Sequence, residues 1–116
     1  MSAINHLNEH EAAAVRQEAV RCAESLLNRN ASFLPLVRRL AAIRFQLREF
    51  ESDSDLLLFT AIDSESDHIP AEAARQHCAS SWLKECDAEV AQMEVFYAEQ
   101  VSAACRSIID RFTHAA

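Results

Sequence analysis

The stretch SWLKECDAEVAQMEVFYAEQVSAACRSIIDRFT, residues 81–113, decides the fold. It contains neither glycine nor proline, and its apolar side chains recur at steps of three and four residues, the spacing of one helix face. We expect the following side chains to face inward: Trp82, Cys86, Val90, Met93, Tyr97, Val101, Ala104, Ile108 and Phe112. The pattern predicts a long C-terminal helix that begins near Ser80 or Ser81 and ends near Thr113.

This predicted helix is long for so small a protein. Unbroken, it would measure about 50 Å, whereas a compact domain of 116 residues is about 35 Å across. Two alternatives follow. The helix breaks, near Asp87, or it projects and packs against a second copy or another protein.

The chain before this stretch carries shorter helical patterns. From about Asn8 to Arg29, small and apolar residues recur at helical spacing, with Asn8 and Glu11 as a capping pair. Asn28 or Asn30 suits the left-handed turn that ends such a helix. We therefore predict a first helix over these residues.

A second helix is predicted from Ser32, its N-cap, to Phe50, with Pro35 in the first turn, where proline is tolerated. Leu34 and Phe45 lie on the side opposite its main apolar stripe. A helix that is apolar on two sides is either central in a bundle or shared with a partner.

The segment between the second helix and the long C-terminal helix is harder to assign. Residues 56–62 form a short apolar run that fits either a short helix or a buried strand, and the helical surroundings favour a helix. Pro70 fits the first position of another short helix. Together the patterns predict an all-α fold, a small helical bundle of about four to five helices with a long C-terminal helix, in a single helical domain over residues 1–116.

The chain contains no glycine. Phosphate-binding Walker loops, dinucleotide-binding fingerprints and nucleophile elbows all need glycine for tight turns or close backbone approach. We therefore expect a protein that binds a partner, is not an enzyme and needs no cofactor.

Two further features concern the cellular compartment. The four cysteines, Cys22, Cys78, Cys86 and Cys105, form no C-x-x-C pair, which indicates buried thiols. No apolar run approaches the roughly 18 residues of a membrane span, and the first residues lack the pattern of a secretory signal. We expect a cytoplasmic protein that does not bind membranes.

The formal net charge of −7 has a single origin. Seven acidic residues and no basic residue lie between positions 49 and 67, and the rest of the chain is formally neutral. Concentrated negative charge disfavours nucleic acid and attracts a basic protein. The predicted partner-binding residues are Glu49, Glu51, Asp53, Asp55, Leu56, Phe59, Asp63, Glu65, Asp67 and His68.

Two structural alternatives to this binding role stay open. The acidic residues can cap helix starts and remain solvated in loops. They can also be neutralised from within the chain by the arginines of the second helix, which are Arg38, Arg39, Arg44 and Arg48.

The alternating acids Asp63, Glu65 and Asp67, followed by His68, suggest a metal site. A calcium loop of the EF-hand type is excluded, since its sixth and twelfth positions would be His68 and Ala74 instead of glycine and a carboxylate. A transition-metal site remains a weaker alternative, and we assign no metal ligands.

The segment AIDSESDHIP, residues 61–70, resembles a group of small, functionally uncharacterised bacterial proteins in which A-I-D-S-E-x-D-H-x-P joins two helical regions. The resemblance extends weakly through Arg75 and Trp82 to a terminal pattern made of Ala104, Cys105 and Arg106 with Ile109, Arg111 and Phe112. It implies a bacterial, mostly helical domain and carries no activity over to these positions.

The sequence thus favours an acidic helical protein-binding module of a bacterial cytosol, such as an immunity protein or a regulator that neutralises a basic partner. The alternatives are a self-associating structural domain, for which a homodimer is expected, and a metal-binding protein that uses the turn from Asp63 to His68.

Overall fold

The computed structural model describes residues 8–113, which contain five α-helices and two short 3-10 helices joined by turns. The elements in chain order are α1 (Glu9–Asn28), α2 (Phe33–Ile43), a 3-10 helix (Arg48–Phe50), α3 (Ser54–Glu65), a second 3-10 helix (Glu72–His77), α4 (Ser80–Phe96) and α5 (Ala98–Thr113). No β-strand occurs among these residues. The all-α prediction is confirmed, and so is the helical alternative for residues 56–62.

The first helix begins and ends close to the predicted residues, but the residue that adopts the left-handed conformation at its end differs from the prediction. The Glu11 backbone N–H donates to Asn8 Oδ1 at 2.8 Å, and the Asn8 N–H donates to Glu11 Oε1 at 3.3 Å. The left-handed residue that ends the helix is Arg29, with φ 55° and ψ 36°, instead of Asn28 or Asn30. Its backbone N–H donates to the carbonyl of Ser25.

The core lies where α1, α2, α3 and α5 meet. The helix α1 packs along α5 and α2, while α3 packs on α2 and α5. Small residues on α1, such as Ala19 and Ala23, have no exposed surface and let the neighbouring helices approach closely. The largest fully buried side chains are Phe50, Phe59, Leu40, Ile43, Leu56, Ile62 and Ile108.

The second helix is shorter than predicted because tertiary contacts end it. After Ile43 the backbone tightens into a turn, and Leu47 adopts an extended conformation. The Arg44 guanidinium donates to Thr60 Oγ1 at 3.0 Å and to the Glu51 carbonyl at 2.7 Å. These bonds hold the following segment back against α3, so Leu47 and Phe50 reach the core from a turn and a 3-10 helix.

The long C-terminal helix is interrupted at Tyr97, not near Asp87. Tyr97 has φ −95° and ψ 5°, but backbone hydrogen bonds from Tyr97 to Met93 and from Val101 to Tyr97 bridge the interruption. The two helical halves give the molecule a longest dimension of 48 Å. The half before the interruption, α4, packs lightly, with Cys86 and Met93 as its buried residues.

Two further sequence predictions need correction in this region. Trp82, predicted to face inward, is 41% exposed, because the start of α4 lies at the margin of the bundle. Pro70 does not begin a helix, since the second 3-10 helix starts two residues later, at Glu72. None of the helices among the described residues is long and apolar enough to cross a membrane.

Candidate functional site

Four of the seven clustered carboxylates form ion pairs with arginines of other helices. Glu49 accepts two hydrogen bonds from Arg16 of α1, at 2.8 and 3.1 Å. Asp53 and Asp55 share Arg111 of α5, with shortest distances of 2.6 and 2.9 Å.

The fourth pair explains the turn of residues 63–70. The Arg38 guanidinium lies 3.5 Å from Asp63 and also donates to the backbone carbonyls of Ser66 and Ile69, at 2.8 and 2.9 Å. The Ser66 side chain is fully buried and donates to the Asp63 carbonyl. One arginine of α2 thus fixes both ends of the turn, which gives this segment a structural role.

The remaining residues of the predicted site face different side chains of this chain or lie exposed. The Tyr97 hydroxyl donates to Glu65, and this hydrogen bond raises the pKa of Tyr97 above its ordinary value. His68 Nε2 lies 2.9 Å from Glu89 of α4. Glu51 and Asp67 are exposed.

The directions in which these side chains point argue against a metal site in this turn. Asp63 faces Arg38, Glu65 faces Tyr97 and His68 faces Glu89. Within residues 8–113, no three His, Cys, Asp or Glu side chains converge in a way that could hold a metal ion. The alternating acids therefore do not form a coordination sphere in this fold.

The apolar residues in and beside the predicted site divide into core and surface residues. Leu56 and Phe59 are completely buried between α2 and α5, so they are core residues and offer no surface to a partner. Their assignment as anchors was wrong because both lie on the inner side of α3. Leu57, at 41% exposure, and Phe45, at 57%, lie at the surface.

The most exposed large apolar side chains lie elsewhere, at the end of α4. Val95 is 77% exposed and Phe96 is 74% exposed. With the exposed residues Ala88, Ala91 and Gln92 they form the side of α4 that turns away from Cys86 and Met93. We call these five residues the α4 outer face.

The α4 outer face is not flat. Phe96 stands between two shallow hollows, and its ring packs edge to face on Tyr97 with centroids 4.9 Å apart. One hollow, of about 300 Å³, is lined by Glu65, Glu89, Gln92, Met93 and Phe96. The other, of about 470 Å³, is lined by Ala91, Gln92, Val95 and Phe96. A partner side chain can enter on either side of the Phe96 ring.

Sequence reasoning missed this face for an identifiable reason. The inward prediction for the long helix rests on one stripe, from Trp82 to Phe112. Ala88, Ala91 and Val95 form a second stripe with the same helical spacing on the other side. That second stripe was the available signal.

Another cleft, of about 450 Å³, lies between the start of α2, the turn and α4. Its main charged groups are already paired. Arg75 donates to both carboxylate oxygens of Asp87, at 2.9 and 3.0 Å, and Glu94 pairs with Arg29 at 3.1 Å. Hydrogen bonding from Arg75 lowers the pKa of Asp87. Because these charged groups pair with one another within the chain, they are less available to bind a ligand in the cleft.

The cysteines are free thiols, and three of the four are buried as predicted. Cys78 is partly exposed, and its Sγ lies 3.4 Å from the Ala74 carbonyl. Burial raises the pKa of Cys22 and that of Cys86, and raises the pKa of Cys105 to about 12.

The chain matches no protein-family profile, no curated protein and no solved structure. The resemblance on residues 61–70 therefore remains a prediction.

Proposed function

We propose that this chain is a protein-binding module that docks through the α4 outer face. The observation that carries the proposal is the exposure of Val95 and Phe96, at 77% and 74%, side by side on one helix. Bulky apolar side chains that are contiguous and exposed mark interaction sites more often than isolated ones do. An aromatic ring flanked by hollows has the form of an interface anchor.

The way α4 is held supports the same proposal. The helix buries two side chains of its own, Cys86 and Met93, and its outer face is exposed. The ion pairs of Arg75 with Asp87 and of Arg29 with Glu94 attach α4 to the second 3-10 helix and to the end of α1. A helix held in this way presents a pre-formed surface, so little ordering cost opposes binding.

The narrower hypothesis, neutralisation of a basic partner by the acidic segment, has less support. Four of its seven carboxylates already face arginines of this chain, and Leu56 and Phe59 belong to the core. The overall charge of −7 still favours encounter with basic over acidic proteins. We therefore place the contact on α4 and give the acidic segment no anchoring role.

Site-specific photo-crosslinking tests this proposal. Benzoylphenylalanine replaces Phe96 in one variant and Glu24, an exposed residue of α1, in the control. We expect covalent protein adducts from position 96 in cells that express the chain natively, and their loss when Val95→Glu is added. Equal adducts from position 24, or none from position 96, would refute the proposal.

A further inference from the structure

The line of the α4 outer face through Ala88 and Val95 has a cation before it and an anion after it, while the exposed Glu85 lies off this line, on the side of Gln92. Lys84, the single lysine of the chain, lies one turn before Ala88, and Glu99 lies about one turn after Val95, just past the interruption at Tyr97. Both side chains are exposed, and neither has a hydrogen-bond or ion-pair partner within residues 8–113. The line through Ala88, Ala91 and Val95 therefore carries opposite charges at its two ends.

We propose that the α4 outer face binds a second copy of this chain, with the two α4 helices antiparallel. A two-fold axis between Ala91 and Gln92 places Lys84 of each copy opposite Glu99 of the other, because these two residues are equally distant from that point along the sequence. The same axis places Ala88 opposite Val95. The inference rests on the proposed function and adds the identity of the partner.

The end charges select the antiparallel orientation. In a parallel pair, Lys84 would face Lys84 and Glu99 would face Glu99, and both contacts would be repulsive. In the antiparallel pair both contacts join opposite charges. The carboxylates beside the stripe, Glu89 and Glu94, are held within each copy by His68 and Arg29.

The side chains between the charged ends suit close helix pairing. The small residues Ala88 and Ala91 permit an interaxial distance of about 8 Å, while Val95 and Phe96 supply apolar area. The stripe covers about three helical turns, so the interface lies at the low end of specific sizes. We therefore expect a dimer that dissociates on dilution.

Sedimentation equilibrium of the full chain over a wide concentration range tests the pairing. We expect a reversible dimer that Lys84→Glu or Glu99→Lys alone weakens about tenfold, since the two-fold axis repeats each altered contact. The double variant Lys84→Glu/Glu99→Lys should recover to within about threefold of the unmodified chain, because it exchanges the charges without removing the pair. Glu24→Lys, which changes the net charge as Glu99→Lys does, should leave the dimer unaltered.

Three outcomes would overturn this inference: a monomer at every concentration, a dimer insensitive to both single variants, or a double variant no better than either single one. Circular dichroism of each variant separates weakened pairing from lost folding. The proposed function can survive such a failure. If position 96 crosslinks to a different protein while the chain remains monomeric, protein binding stands and the second copy is rejected.

Discussion

Arg111, in the last turn of α5, donates to both carboxylate oxygens of Asp53, the residue that caps α3, at 2.6 and 3.2 Å. The same carboxylate accepts the backbone N–H groups of Asp55 and Leu56. The side chain of Asp53 is 6% exposed. One carboxylate thus caps a helix and ties it to a residue 58 positions away in the sequence.

Replacing this carboxylate should therefore destabilise the fold. Asp53→Ala removes a helix cap and a shielded ion pair, and we expect it to lower the free energy of unfolding by about 1–2 kcal/mol. Asp67→Ala, at an exposed acid of the same segment, should change it by less than about 0.5 kcal/mol. Urea denaturation measures both. Equal effects would show that the Asp53 contacts contribute nothing specific.

The neighbouring leucines of α3 test the division between core and surface. Leu56 is fully buried and Leu57 is 41% exposed. We expect Leu56→Ala to cost about 2–5 kcal/mol, because it leaves a cavity. Leu57→Ala should cost under about 1 kcal/mol. Thermal unfolding followed by calorimetry compares the two variants, and a reversed order would contradict the orientation of α3.

The left-handed conformation of Arg29 predicts a stabilising substitution. A side chain with a Cβ is disfavoured at φ 55°, whereas glycine adopts this backbone without steric cost. Arg29→Gly should be more stable than Arg29→Ala by about 1 kcal/mol. Both variants lose the ion pair with Glu94. The difference between their free energies of unfolding therefore reports the effect of the left-handed backbone conformation. If the alanine variant proved the more stable, the turn after α1 would have another conformation.

The pair of Glu18 and Arg39 predicts a contribution to stability that depends on pH. The hydrogen bond from Arg39 lowers the pKa of Glu18 below its ordinary value. The pair therefore stabilises the fold above that value, about 4.3, and this contribution is lost as the pH falls through the lower folded pKa. We expect Glu18→Gln to cost under about 1 kcal/mol at neutral pH and progressively less in acid.

Chemical denaturation of the Glu18→Gln variant at several pH values checks this expectation. Glu24→Gln, a change at an exposed glutamate of the same helix, is the matched control. A difference between Glu18→Gln and the unmodified chain that stays constant from neutral to acidic pH would contradict the assigned pairing.

Thiol reactivity should follow burial. Cys78 is the partly exposed cysteine, whereas burial keeps Cys22, Cys86 and Cys105 protonated and shielded. A disulfide reagent at mildly alkaline pH should modify one thiol per chain rapidly, and all four after denaturation. Cys78→Ser should abolish the rapid phase, and its persistence would place a second thiol at the surface.

Features that depend on neighbouring residues were predictable from the sequence. The capping pair of Asn8 and Glu11 lies within one turn, and its prediction was correct. The helical character of residues 56–62 followed from the chain around them. The inward stripe of the long helix was correct for Cys86, Met93 and the buried part of α5, since its spacing is a local property.

Features that depend on distant residues were not predictable in the same way. Arg16 lies 33 positions from Glu49, and Arg111 lies 58 positions from Asp53, so a count of local charge could not show that these acids are paired. The early end of α2 depends on Arg44 reaching Thr60. The alternative of neutralisation by the arginines of the second helix is right for one pair: among the described residues, Arg38 is the arginine of that helix that pairs with a carboxylate of the acidic segment.

The light packing of α4 has a consequence for how this protein can change over evolutionary time. Substitutions on its outward side meet no constraint from the interior, so they change the surface of the protein without altering its folding. The chemistry of this surface can therefore diverge between descendants of the chain while the other four α-helices keep their sequence.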